Sequence, residues 1–200
     1  MNVTATSSDT GRAAPKPGTV RLVVNFLTFQ LGWFACIWGA ANDMPAAGTT
    51  IAALVVGVHL FCAVRPLEEL KLIIVAVVAG AVFDSLLLAT GFVQFHSVTF
   101  ISGLAPYWIL ALWALFATTL NVSLSWLRGR WLLAAVLGAI AGPLSYWAGA
   151  RLGAAMLVQP MPAIAAMAAE WAIAMPLLMF FAQRFDGVQQ PAAIAEVIHV

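Results

Sequence analysis

Two carboxylates inside apolar stretches are the first candidates for chemistry. Asp84 interrupts the run Lys71–Thr90, and Glu170 interrupts another run at residues 162–183. A charged side chain at the bilayer centre costs about 2.5–3.5 kcal/mol on insertion scales, so intramembrane charges are often functional. Two close carboxylates would share a proton, which suits a proton-linked or cation-binding pair, or one that coordinates a polar headgroup. The alternative is structural: an ion pair with Arg151, or carboxyls kept neutral and hydrogen-bonded.

The polar residues within the apolar stretches sort into two layers when depth is counted at about 1.5 Å per helical residue. The outer layer predicts an outward-facing polar pocket lined by Asp84, Glu170, Tyr146, Arg151 and Ser145. The inner layer predicts a secondary cluster in the cytoplasmic half, formed by Asn25, His59 and Asn121. His59 could act as a proton relay or ligand, but a core histidine hydrogen-bonded to Asn25 or Asn121 is favoured.

Small residues surround the polar ones at helical spacing. Asp84 shares a helix face with Gly80, and Glu170 shares one with alanines at positions 163, 166 and 174. Small residues mark contact surfaces between membrane helices, so these polar side chains are expected to point into the protein. The spacing Gly138-xxx-Gly142 similarly predicts a close approach of two helix backbones.

The composition requires lipid as the solvent for most of the chain. Of the 200 residues, 63% are hydrophobic and 8% are charged, whereas soluble domains carry about 25% charged residues. The chain is therefore predicted to be an integral membrane protein whose first partner is the lipid bilayer. No basic patch stands out, so nucleic acid is not expected as a partner.

Six apolar stretches approach the roughly 20 residues that a membrane-spanning helix needs. They lie at about residues 20–41, 46–64, 70–90, 104–125, 131–150 and 162–183. Because backbone groups in lipid must be paired internally, the predicted fold is an all-α bundle of six transmembrane helices. Residues 1–19 are expected to form a disordered tail, and residues 184–200 a second tail.

The basic residues set the predicted orientation. Eight of the nine lie on one face of the topology: Arg12, Lys16, Arg21, Arg65, Lys71, Arg128, Arg130 and Arg184. Cytoplasmic loops carry the excess of lysine and arginine, so both termini are predicted to be cytoplasmic. Arg65, Glu68, Glu69 and Lys71 are expected to form a solvated turn, and Arg128 and Arg130 could touch anionic headgroups.

Other features limit the chemistry. Trp33, Trp113 and Trp171 lie too deep for the aromatic belts that mark membrane interfaces. The connection Gly91–Gly103 is apolar for a loop and is expected to dip into the membrane surface or lie along it. Cys36 and Cys62 differ too much in depth for a disulfide. No spacing typical of a metal site or cofactor motif occurs, so none is expected.

Several phrases, spread over helices one, three, four and five, carry a family resemblance. They include Asn25-Phe26, Asp84-Ser85-Leu86, Ala105-Pro106 with Trp108, and the segment of residues 142–154. The pattern resembles a family of small bacterial inner-membrane proteins, the domain-of-unknown-function family 2878, over about residues 25–181. The resemblance implies a multi-pass protein in the bacterial inner membrane, and it transfers no catalytic residues.

Three functional hypotheses follow. The first is small-solute transport or lipid handling through the outward-facing pocket. The second is a non-catalytic accessory or substrate-capture subunit, with another membrane protein or a second copy of the chain as its partner. The third is a membrane lipid-modifying enzyme, which is disfavoured because the chain contains no H-E-x-x-H, no G-x-S-x-G and no phosphate-binding glycine loop.

Overall fold

A computed structural model of the protein describes residues 18–96 and 101–189, and six α-helices account for most of this part of the chain. The helices are α1 (Thr19–Ala41), α2 (Pro45–Cys62), α3 (Pro66–Ala89), α4 (Tyr107–Leu120), α5 (Trp131–Arg151) and α6 (Pro160–Arg184). Five of them are long and apolar enough to cross a membrane. The predicted all-α polytopic fold is thus confirmed. The tail predicted at residues 1–19 lies almost wholly outside the described residues.

Helix α4 is shorter than the stretch predicted at residues 104–125. It begins after Pro106 and ends at Leu120, which makes it 14 residues long, or about 21 Å. At its end the Thr119 hydroxyl donates to the Phe116 carbonyl, a bond that competes with the helical ladder. The chain then turns through residues 121–124 into a short 3₁₀ helix, Ser125–Leu127. Hydropathy extends across these turns, which explains why the sequence predicted a longer helix.

The helices pack as two hairpins joined through α3 and α4. Helix α1 packs on α2, α5 packs on α6, and α4 contacts α1, α2 and α3. Helices α1 and α5 are not extensively packed against each other. They meet toward their C-terminal ends, where a side chain on Gly149 would contact Ile37 and one on Gly153 would contact Ala41.

Glycines allow the closest helix crossings. A Cβ atom on Gly138 would lie 2.3 Å from the Trp171 carbonyl oxygen, and one on Gly142 would lie 2.3 Å from the Trp171 ring. The close approach predicted from this spacing is therefore present, between α5 and α6. A Cβ on Gly48 of α2 would similarly lie 2.4 Å from the Ala35 carbonyl of α1.

Two short strands form a ribbon that follows α3 and α5. Strand β1 (Val93–Phe95) pairs antiparallel with β2 (Ala155–Leu157), with Val93 opposite Leu157 and Phe95 opposite Ala155. The loop expected to dip into the membrane surface thus contains a paired strand, while its residues 97–100 lie outside the described residues. We call this the ribbon end of the protein.

The opposite end, here called the basic end, collects the positive side chains. Described residues at this end are Arg21, Arg65, Lys71, Arg128, Arg130 and Arg184. Arg12 and Lys16 lie outside the described residues. Arg151 lies at the ribbon end, at the last residue of α5. The observed grouping is that expected from the sequence, whereas the side of the membrane that each end faces remains a prediction.

Candidate functional site

Asp84 of α3 joins three helices. Its side chain is fully buried, with 0% exposure. The Trp113 indole of α4 donates its Nε1–H to Asp84 Oδ2 at 2.6 Å. The Tyr146 hydroxyl of α5 donates to Asp84 Oδ1. Both carboxylate oxygens therefore have partners, as buried polar atoms require.

A glycine makes the contact between α3 and α4 possible. Gly80 lies one turn before Asp84, on the shared face that the sequence indicated. A Cβ atom at Gly80 would lie 2.2 Å from the Trp113 ring, closer than any side chain can tolerate. Gly80 thus lets the indole lie flat against α3 and extend to the carboxylate.

Aromatic rings continue from Trp113 into the protein. The Trp113 and Trp171 rings stack with centroids 4.8 Å apart and planes 14° apart. Phe83 stacks on Trp113 at 6.5 Å, and Phe116 meets Trp171 edge-on at 5.3 Å. Such pairs contribute about 0.5–1.5 kcal/mol each beyond the area they bury. Trp113 and Trp171 therefore form an internal stack rather than part of an interfacial belt.

Glu170 and Arg151 stand apart from the hydrogen bonds of Asp84. Glu170 Oε1 is buried and has no hydrogen-bond partner in the described residues. The Arg151 side chain is exposed, with its guanidinium 6.0 Å from the centroid of the Trp147 ring. Within residues 18–96 and 101–189 Arg151 forms no ion pair. The structural alternative of an ion pair with Arg151 is therefore absent there.

A cavity of about 630 Å³ lies between α1, α4 and α5, with two residues of α6 completing its wall. Its lining is overwhelmingly apolar and includes five tryptophans: Trp33, Trp108, Trp113, Trp126 and Trp171. Tyr146 and Ser145 also line it, and Ser145 Oγ accepts the Trp33 Nε1–H at 3.0 Å.

Asp84, Glu170 and Arg151 are not among the residues that line this cavity. Asp84 lies behind the wall and holds two of its rings, Trp113 and Tyr146. The structure therefore differs from the predicted polar pocket: the cavity is apolar, and the carboxylate supports it from outside. The sequence indicated a shared depth but could not distinguish a lining residue from one behind the lining.

The cavity is elongated and closed at both ends. On α1 it extends from Phe26 to Ile37, a distance of about 16 Å along the helix. Phe95 and Ala155 of the ribbon lie at one end. The 121–130 connection, through Trp126 and Leu127, lies at the other.

The cavity opens sideways between α1 and α5. Several of its lining residues are exposed, and they belong to these helices or to the connection before α5: Phe26, Gln30, Trp126, Ala141 and Leu144. Side-chain contacts between α1 and α5 begin at Trp33 and Ser145 and continue at Gly149. The opening therefore lies between the N-terminal parts of the two helices.

The secondary cluster at the basic end has a centre that the sequence did not indicate. Glu69 is fully buried and accepts the Asn121 amide at 2.7 Å and the Gly187 N–H at 2.8 Å. His59 Nε2 lies 2.8 Å from its other carboxylate oxygen. The expectation of a solvated turn was therefore wrong for Glu69. His59 and Asn121 belong to one cluster, but Glu69 joins them.

Asn25 belongs to a different contact. It donates to the Thr118 carbonyl at 3.0 Å and accepts from the Ser123 hydroxyl at 2.8 Å. These bonds tie α1 to the end of α4, whereas Asn121 turns toward Glu69 and α6. The predicted grouping of Asn25 with His59 and Asn121 is thus split into two networks.

An ion pair secures the chain after α6. Arg128 binds the Asp186 carboxylate at 2.7 Å and donates to Asn121 Oδ1 at 2.6 Å. Arg65 donates to the Asp186 carbonyl. Residues 185–189, the described part of the tail predicted at residues 184–200, therefore pack on the rest of the protein. Arg128 is engaged here rather than available to headgroups, while Arg130 remains exposed.

The titratable groups do not assemble into a metal site. In the described ranges, no three His, Cys, Asp or Glu side chains lie close enough to hold a metal ion. Cys36 is buried, Cys62 is exposed, and both are free thiols. The chemistry of the site is therefore that of a shaped apolar cavity with hydrogen-bonded support.

Comparison with known proteins gives one relationship. The family described as "protein of unknown function (DUF2878)" matches residues 22–177, well over half of the chain and all six helices at least in part. No curated protein and no solved structure matches the chain. On the extent of that match, the chain belongs to the DUF2878 family.

Proposed function

We propose that this multi-pass membrane protein handles lipid by binding a hydrocarbon chain in the cavity between α1 and α5. The observation that carries the proposal is the lateral opening of an apolar, aromatic cavity toward the region that lipid chains occupy. Its volume of about 630 Å³ is in the usual range of ligand pockets, about 300–1,000 Å³.

The length of the cavity supports a lipid chain as the occupant. The hydrocarbon core of a bilayer is about 30 Å thick, so one leaflet of chains is about 15 Å deep. The cavity follows α1 for about 16 Å, from Phe26 to Ile37. A chain could therefore leave its leaflet sideways and occupy the cavity along its length.

Small-solute transport fits this lining less well. A polar solute would give up its hydration in a cavity whose surface is almost entirely apolar, without compensating hydrogen bonds. Asp84 would offer it nothing, because both of its oxygens already accept bonds from Trp113 and Tyr146. We assign Asp84 the role of positioning these two rings.

The proposal also includes a location. We infer that the protein resides in the bacterial inner membrane with its basic end in the cytoplasm, since positive loops are retained on that side. The ribbon end of the cavity would then be directed toward the outer face, and the 121–130 connection toward the inner face.

Native mass spectrometry of the purified protein tests chain binding. Ala141 lines the cavity, whereas the neighbouring Ile140 does not and is exposed on the outer surface of α5. Wild type and the control Ile140→Phe should retain about one lipid per protein through delipidating detergent, and Ala141→Phe should lose it. No retained lipid in wild type, or equal retention in the two variants, would contradict the proposal.

A further inference from the structure

Gln30 is a polar side chain in the lining of the cavity, and no contact within the described residues accounts for its polarity. It lies at the middle of α1 (Thr19–Ala41), is one of the residues that line the cavity, and is exposed. Among the described residues it has no hydrogen-bond partner. An amide in hydrocarbon with nothing to bind is costly, because neither lipid chains nor apolar walls replace its water.

Neighbouring residues add to this polar position. Trp33, three residues after Gln30 on the same face of α1, donates to Ser145 Oγ of α5 at 3.0 Å. Ser145 is the acceptor in that bond, so the hydrogen of its own hydroxyl group takes no part in it. Gln30 and Ser145 therefore offer both donors and an acceptor to the same cavity.

We propose that the cavity selects a chain bearing a hydrogen-bonding oxygen along its length, such as a mid-chain hydroxyl, and that Gln30 recognises this oxygen. The inference rests on the proposed function, because it specifies which chain the cavity takes. An ordinary saturated chain carries no polar group along its length. A mid-chain oxygen would satisfy the Gln30 amide and displace no protein bond.

Competition among fatty acids tests the inference. A stearate with bromine atoms on its chain is first bound to the purified protein, where it quenches the cavity tryptophans. Unlabelled stearate and stearate with a mid-chain hydroxyl are then compared as competitors. A hydrogen bond contributes about 0.5–1.5 kcal/mol net, so wild type should bind the hydroxylated acid about two- to tenfold more tightly.

Two variants test whether Gln30 causes the preference for the hydroxylated acid. Gln30→Leu keeps the approximate size of the side chain and removes the amide, so the ratio of its affinities for the two acids should fall to about one. Leu31→Met, on the exposed side of α1, should behave as wild type. A preference that persists in Gln30→Leu, or equal affinities in wild type, would overturn the inference and leave chain binding intact. Absence of quenching in wild type would overturn the proposed function and this inference together.

Discussion

Trp113 and Tyr146 approach the Asp84 carboxylate from two different helices, and each donates to a different oxygen. Both rings belong to the cavity wall, and the carboxylate lies behind it. Asp84 therefore acts on the shape of the wall rather than on the interior of the cavity. Its conservative variants should alter stability and lipid retention together.

The substitution Asp84→Asn tests this arrangement. An asparagine amide has an NH2 group in place of one carboxylate oxygen. If its remaining oxygen accepts from Trp113, the NH2 group faces the Tyr146 hydroxyl, whose hydrogen then loses its acceptor. A buried group left unpaired costs about 1–3 kcal/mol, and we expect a loss of stability of this size with partial loss of bound lipid. Thermal unfolding in detergent, followed by tryptophan fluorescence, measures the first effect. The exposed Leu86 supplies a control, Leu86→Ala, and equal stability of the two variants would contradict the role of Asp84.

Gly80→Ala should disrupt the contact between Trp113 and Asp84, because it adds a side chain where the ring packs on α3. The added Cβ would overlap the Trp113 ring at 2.2 Å and move the indole away from Asp84. Overpacking costs about 1–3 kcal/mol. Gly57→Ala is the matched control, because its Cβ would meet nothing within 4 Å and should stabilise α2 by about 0.5–1 kcal/mol. Unfolding midpoints that shift in the same direction in both variants would exclude the proposed contact.

Glu69 and Glu68 are adjacent and should respond differently to alanine. Glu69→Ala leaves the Asn121 amide and the Gly187 N–H without their acceptor. Removing one member of a buried charged network costs about 3–5 kcal/mol. Glu68→Ala removes only a surface pair with Lys71, at about 0–1 kcal/mol. Limited proteolysis should cleave after α6 more readily in Glu69→Ala alone, and equal cleavage of both variants would argue against a Glu69 anchor.

The ion pair between Arg128 and Asp186 should show measurable coupling. A double-mutant cycle with Arg128→Ala and Asp186→Ala is expected to give about 0.5–3 kcal/mol, the range for residues in direct contact. The same cycle on Lys71 and Glu68, which are more exposed, should give about 0.2–1 kcal/mol. Additive effects at Arg128 and Asp186 would mean that this pair does not secure residues 185–189.

The sequence predicted the membrane fold because hydropathy and small-residue spacing are local properties. Gly80 on the face of Asp84, and Gly138 with Gly142 at a helix crossing, could be anticipated in this way. The burial of Glu69 could not, because its partners Asn121 and Gly187 come from distant parts of the chain. A glutamate beside Glu68, Arg65 and Lys71 has the local signature of a solvated turn.

The cavity was also beyond prediction, for a related reason. It exists because α1 and α5 do not pack, and the absence of a contact leaves no pattern in either helix. The depth of Trp113 and Trp171 was one indication of the cavity in the sequence, since both lie too deep for an interfacial role. Gln30 gave a second one, although its spacing alone could not separate a contact between helices from an amide facing open space.

Because the cavity opens between α1 and α5, pressure from the surrounding lipid should change the width of this opening. Each wall belongs to its own hairpin, α1 with α2 and α5 with α6. The walls are joined by the Trp33–Ser145 hydrogen bond and near Gly149, which leaves a gap between the N-terminal parts of α1 and α5. Lateral pressure in the bilayer acts across this gap and favours the narrower state. Spin-label distances between α1 and α5 should therefore shorten in lipids that exert higher lateral pressure, and the volume available to a chain should decrease with them.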